Sequence, residues 1–269
     1  MLSLFFASSL AVVFHEQNDI YLEVIGNENT ASRQVFFAPH EDEHVANEYL
    51  AEKIIQEKGR FLILRQAGQR EISLNINNQK ILVDPNRIFT FKGIKDSIKK
   101  LNPELAISAN DFQQAVKRSQ ALGQFIIAKM GGLNKQNTWL AVHNNTQGYK
   151  DDGKGGIGDV SMIRYRHKLN TGAKYLINLT PLIGDEDDLF FVTNKQDFLQ
   201  MQFKGFNAVL QDPIVTSDIE EDDGSLSVYA QMNGIRYINI EAEREYQGKG
   251  EDHLPMQIKM LNYTFSLHH

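Results

Sequence analysis

The chain of 269 residues contains no cysteine. That excludes disulfides, thiolate metal sites and thiol nucleophiles. Six prolines and 19 glycines are too few for a collagen-like or Pro-rich chain. Positive charge is short as well: 28 Lys and Arg stand against 34 Asp and Glu, a net charge of −6. A general nucleic-acid binder shows a basic face, so no nucleic-acid partner is expected. No run of 18 apolar residues occurs, and no integral membrane segment is expected. The Gly-x-Ser-x-Gly elbow of many serine hydrolases is missing. The run Gly153-Lys154-Gly155-Gly156-Ile157-Gly158 lacks the Gly-Lys-Ser/Thr ending of a phosphate-binding loop and reads as a flexible loop. What remains is ordinary globular composition, 42% hydrophobic and 23% charged, on a chain long enough to bury a full core. Eight histidines are the only soft metal ligands in quantity.

The first stretch, Met1 to Phe14, is apolar. Ser9 and Ala11 fit positions −3 and −1 of an export-signal cleavage site, although the basic residues that open such signals are missing. The other reading is a buried first strand. Residues 1–17 are therefore taken as an export signal or an N-terminal extension, and 18–269 as the working domain. A secreted or periplasmic location is favoured over the cytoplasm.

Apolar periodicity then alternates between strand and helix. Strands are expected at 19–25, 34–38, 61–65, 71–76, 80–83, 138–142, 173–179, 189–193, 207–210, 225–230 and 235–240. Asn77-Asn78 marks a hairpin turn. Helices are expected over 42–58, 111–130 with Asn110 or Asp111 as cap, 195–204 and 255–265. No repeat or composition break appears. The expected fold is α/β: one domain, a mixed sheet flanked by helices on both faces.

Four short motifs carry chemistry. Pro39-His40-Glu41-Asp42-Glu43-His44 follows a buried strand, and His40 and Glu43 can converge on one ion from a loop and a first helical turn. Imidazole and carboxylate both suit Zn²⁺; alone, the motif also reads as an acidic helix start. His143 ends an apolar strand, at the sheet edge where open α/β proteins bind ligands. With His40 and Glu43 it makes a His, Glu, His set with one coordination position left for water, the composition of a catalytic zinc site. In Asp84-Pro85-Asn86-Arg87-Ile88-Phe89, Arg87 offers a fork matching a carboxylate and Asn86 an amide donor; a turn with a surface arginine is the plainer reading. Finally, Tyr237 to Glu243 is an apolar strand ending in glutamates. A carboxylate there, beside zinc-bound water, can serve as general base. Glu241 and Glu243 share a face by period two, which leaves the choice between them open.

The ordered set His40-x-x-Glu43, Asn86-Arg87, His143, Glu241 resembles the zinc carboxypeptidase superfamily, over roughly residues 18 to 265. Within it, Asp84 to Phe89 is very like the Asn-Arg motif of the aspartoacylase and succinylglutamate desuccinylase group. The resemblance implies a zinc carboxypeptidase-like fold and a zinc metallohydrolase acting on C–N bonds. His40, Glu43 and His143 would hold one Zn²⁺, and Glu241 would be general base and then acid. Asn86 and Arg87 would clamp the substrate carboxylate. The family's oxyanion arginine falls at Arg70, with Arg65 as the alternative. Asn144 stands where carboxypeptidases usually carry serine, at a position that shapes the substrate groove. Tyr229 and Tyr237 are candidates for the family's mobile tyrosine.

The function expected is that of a carboxypeptidase-type amide hydrolase taking a small peptide with a free carboxylate. Two alternatives stand beside it: an N-acyl amino acid deacylase, and a peptide-binding relative without turnover. His44 reads as a helix residue rather than a ligand, His167 and His253 as isolated, and the stretch 218–223 as a solvated acidic loop.

Overall fold

Strand and helix alternate along the chain as its apolar periodicities require. The computed structural model describes residues 9–26, 33–151 and 153–267. Their order is β1 (Ser9–Val13), β2 (Tyr21–Gly26), β3 (Gln34–Ala38), α1 (Asn47–Gln56), β4 (Arg60–Arg65), β5 (Ile72–Ile76), β6 (Gln79–Val83), α2 (Phe91–Leu101), α3 (Ala109–Lys129), β7 (Thr138–Asn145), α4 (Met162–Asn170), β8 (Leu176–Leu179), β9 (Leu189–Val192), α5 (Lys195–Phe203), β10 (Ala208–Gln211), α6 (Leu226–Met232), β11 (Arg236–Glu243) and α7 (Leu254–Ser266).

Nine strands form one mixed sheet in the order β1-β2-β4-β3-β7-β11-β9-β10-β8, and β5 and β6 form a separate hairpin. The centre, β4-β3-β7-β11, is parallel throughout. Strands covered on both faces read as continuous apolar runs, and every residue of β3 and β7 is buried. Side chains alternate between faces. Val35, Phe37, Trp139, Ala141 and Tyr237 pack with α2, α3, α6 and the hairpin. Phe36, Ala38, Leu140, Val142, Ile238 and Ile240 pack with α1, α5 and α7. Beyond β11, Leu189, Phe191 and Val209 receive Met162 and Tyr165 of α4. The chain thus forms the expected α/β domain, a mixed sheet with helices on both faces.

Several local expectations change. The first helix starts at Asn47, not residue 42; Glu43 lies in a turn, with its N–H bonded to His40 O at 3.2 Å. The cap of α3 is Ser108, whose hydroxyl accepts from Asp111 N, rather than Asn110 or Asp111. Residues 225–230 are helix α6, not strand. Ser225 caps it, and Leu226, Ser227, Val228 and Ala230 are all buried, so no polar face reveals the helical period. Helices α2 and α4 and the edge strand β1 also appear. Of the apolar N-terminal stretch, residues 1–8 lie outside the described residues, while β1 pairs antiparallel with β2. No helix among the described residues is long and apolar enough to cross a membrane.

Candidate active site

The carboxyl ends of the parallel strands form a ledge, the place where open α/β sheets gather ligands. Pro39 and His40 follow β3 directly, and the turn from His40 to Glu43 brings both side chains back together. His143 is in β7, paired in register with Glu241 of β11, so the two side chains share a face one strand spacing apart. His40, Glu43 and His143 are buried, and one donor atom from each lies within 4.8 Å of the others.

Contacts inside this group are close. His143 Nδ1 lies 2.8 Å from Glu43 Oε2, which also accepts from Asn144 N at 3.2 Å. His40 Nδ1 is 3.0 Å from Glu43 Oε1, but off the hydrogen-bond direction, so it has no hydrogen-bond partner; neither has His143 Nε2. Orphaned buried polar atoms each cost about 1–3 kcal/mol. Two such ring nitrogens beside a carboxylate fit an electron-pair acceptor, and the donor set matches zinc. Geometrically the cluster is compatible with a single Zn²⁺.

Electrostatics agree. Burial, reinforced by the Arg70 charge, lowers the His40 pKa despite Asp84. Burial pushes His143 down to about 3. Both rings are therefore neutral near pH 7, the form that ligates metal. His40 Nε2 donates to Asp84 Oδ1 at 3.1 Å. Burial works against the Asp84 carboxylate, but the His40 hydrogen bond and the Arg87 and Arg70 charges hold its pKa well below the usual range. An ionised Asp84 fixes the proton on Nε2 and leaves Nδ1 free, the usual carboxylate support of a metal-binding histidine.

The other expected residues are distributed as follows. Arg70 contacts Glu43 Oε1, whereas Arg65 is committed to Glu23 through Nε and Nη2 at 3.0 and 2.8 Å. Asn86 Oδ1 accepts from Leu226 N at 3.2 Å, and Arg87 Nη1 lies 3.3 Å from Asp223 Oδ2. The acidic loop is thus tied to the Asn-Arg turn rather than merely solvated. Glu241 accepts from Asn239 Nδ2 at 2.9 Å. Glu243 turns to other partners: Glu251 N donates to its Oε1 at 3.1 Å. Asn144 is on the opposite face of β7. Its side chain bonds Gln257 Oε1, Ala242 O and Val45 N, so it braces α7 and the turn after Glu43. Tyr237 is buried, and Tyr229 stacks on Trp139.

Sequence reading passes over two residues and misreads a third. Asp84, given no role of its own within the Asn-Arg motif, supports His40 and also caps the Pro85–Arg87 turn by accepting from Asn86 N at 2.8 Å. Gln257, wholly buried on α7, donates to His143 O at 2.9 Å across 114 residues, a link no local pattern carries. His253 is not isolated: it bonds Asp188 Oδ2 at 2.9 Å and groups with Asp185 and Glu243. His44 is exposed and precedes α1 rather than lying in it, and His268 and His269 lie outside the described residues.

No family model matches the sequence, and no curated protein matches it. Solved structures do. The chain is similar to a succinylglutamate desuccinylase from Chromobacterium violaceum, with 11% identity over 88% of this chain and 60% of that one, at a TM-score of 0.44. It is similar to a product-bound cell shape determinant protein from Helicobacter pylori, with 13% identity over 93% and 56% and a TM-score of 0.42. A metallo-carboxypeptidase from Burkholderia cenocepacia shows 11% identity over 91% and 61%, with a TM-score of 0.39. The chain spans 56 to 61% of the length of these proteins.

Proposed function

We propose that the protein is a zinc-dependent amide hydrolase of carboxypeptidase type, acting on a small peptide with a free carboxylate. The observation that carries this reading is the buried His40–Glu43–His143 set with two neutral, partly orphaned imidazoles at the sheet's ligand-binding edge. A zinc ion held there would supply Lewis acidity and a bound water with its pKa lowered to about 7.

The chain's own residues supply the rest. Glu241, beside His143, takes the proton of the attacking water and returns it to the leaving nitrogen. Its register opposite His143 supports this choice over Glu243, which is occupied by the 250–253 loop. Arg70 is 42% exposed at its side chain, free to turn from Glu43 toward a developing oxyanion. Arg87 receives the substrate carboxylate in exchange for Asp223, and Asn86, its oxygen held by Leu226 N, keeps its amide donors for the same group. This alignment makes the attack effectively unimolecular.

Steady-state assays on the zinc-loaded protein, comparing short peptides with N-acyl amino acids, test the reading. Peptide cleavage from the carboxyl end is expected, and Arg87→Ala should raise KM about 10- to 100-fold, the loss of charge-assisted hydrogen bonds. Cleavage of N-acyl amino acids alone would assign a deacylase. Peptide binding without turnover would assign a non-hydrolytic protein.

A further inference from the structure

Glu41 stands between the candidate ligands His40 and Glu43 in sequence, yet its carboxylate is engaged elsewhere. Glu41 Oε2 accepts from Gln66 N at 2.6 Å and from Gly68 N at 2.7 Å, while Arg65 Nη1 lies 3.6 Å from Oε1. The two main-chain donors belong to the turn between β4 and β5, which carries Arg70. Main-chain N–H groups converging on one anion form a concave anion-binding turn. Here Ala67 and Gly68 are both left-handed, with φ of +55° and +68°. An alanine keeps that conformation only where the surroundings impose it. The far side of the turn is braced as well: Gln66 Nε2 donates to Ser73 O at 2.9 Å, and its Oε1 accepts from Ser73 N at 2.6 Å. Arg70 itself lies in neither helix nor strand, so the shape of this turn determines where its guanidinium goes.

We propose that Glu41 is a positioning residue: its single oxygen shapes the 66–70 turn and so delivers Arg70 to the candidate metal-ligand turn. The proposal rests on the oxyanion role assigned to Arg70 above. It also couples the two loops, because Glu41 and Glu43 are anchored on the same short turn. A shift of the ligand turn then moves the arginine with it.

Both hydrogen bonds end on one oxygen, so a side chain of the same length that keeps an oxygen there separates the shape of the acceptor from its charge. Glu41→Gln retains such an oxygen, and Glu41→Ala removes it. Amide hydrogen exchange on the zinc-loaded protein reads the turn directly. Exchange at Gln66 and Gly68 should quicken about 10- to 100-fold in Glu41→Ala, the loss of charge-assisted bonds, and return part of the way in Glu41→Gln, which keeps the oxygen but not its charge, with β4 unchanged. Turnover reads the arginine. Glu41→Ala should lower kcat as Arg70→Ala does, with KM little changed, and the double variant should be no slower than Arg70→Ala alone. Unchanged exchange at Gln66 and Gly68, or additive losses in kcat, would overturn the proposal. If the parent cleaves neither peptides nor N-acyl amino acids, the hydrolytic reading falls by itself, and the exchange rates alone uphold or overturn the coupling.

Discussion

At the end of β7, His143 is buried against Glu43 with His40 beside it; just past the end of the neighbouring β11, His253 lies against Asp188, with Asp185 and Glu243 close by. Each group offers three side chains able to ligate a metal. Their surroundings separate them. The first group is buried throughout, and burial holds both imidazoles neutral with lone pairs to give. In the second, Asp185 is exposed and His253 intermediate. Burial there works to lower the His253 pKa, but the charge and hydrogen bond of Asp188, with Asp185 and Glu243, raise it. A raised pKa favours the protonated ring, which has no second lone pair to give and acts as a counter-ion. Asp187, which feels the charges of Asp185 and Glu243, is raised by burial to about 8, although Gly148 N donates to it. Counting ligand types therefore does not separate the two groups; the direction in which the fold shifts each imidazole does.

The largest test of this contrast is zinc content by elemental mass spectrometry. The parent should carry about one ion per chain, and His143→Ala none, with affinity falling more than about 100-fold, beyond the loss typical of a supporting residue. His253→Ala should keep its zinc. Loss of zinc from both variants would break the comparison. A smaller effect is expected at the support of His40. In Asp84→Asn an amide oxygen can still accept from His40 Nε2, but the charge is gone. Zinc should bind about 10- to 100-fold more weakly in chelator competition. Unchanged affinity would show that Asp84 serves only as the cap of the Pro85–Arg87 turn.

Much of this was legible because residue type and place coincide. His40 and His143 each follow an apolar run that could only be a central strand, so the ledge and its ligands could be read together. The two glutamates of β11 could not be told apart by period two. What separates them is tertiary: the 250–253 loop folds back to occupy Glu243, while Glu241 keeps its register opposite His143. Asn144 shows the reverse limit. Its neighbour points into the site, so it points away, toward Gln257, and alternation alone would have placed it there. Gln257 itself carried no signal, since its partners are 113 and 114 residues distant. Helix α6 was misread because burial on nearly every side erases the amphipathic stripe on which periodicity depends.

The finest distinction between the clusters is their response to pH. His253 has a folded pKa above its unfolded value near 6.5. Its stabilising contribution is thus fully present below about pH 6.5 and is lost as pH rises through the raised folded value. His253→Gln removes the titrating ring but keeps the main-chain bond from residue 253 to Glu243 O, 3.0 Å in the parent. The parent should therefore exceed this variant in Tm at pH 5.5–6 by about 2–4 °C, the shift given by roughly 1 kcal/mol from a partly exposed ion pair. By pH 9 the gap should close. Asp185, Asp187, Asp188, Glu243 and Glu251 titrate in both proteins, so their shared contribution cancels to first order in the difference. A gap that stays constant from pH 5.5 to 9 would mean that His253 carries no extra proton. A gap that instead widened as pH rose would mean a His253 pKa lowered on folding, a neutral imidazole like those of the first cluster, and the contrast between the two groups would fall.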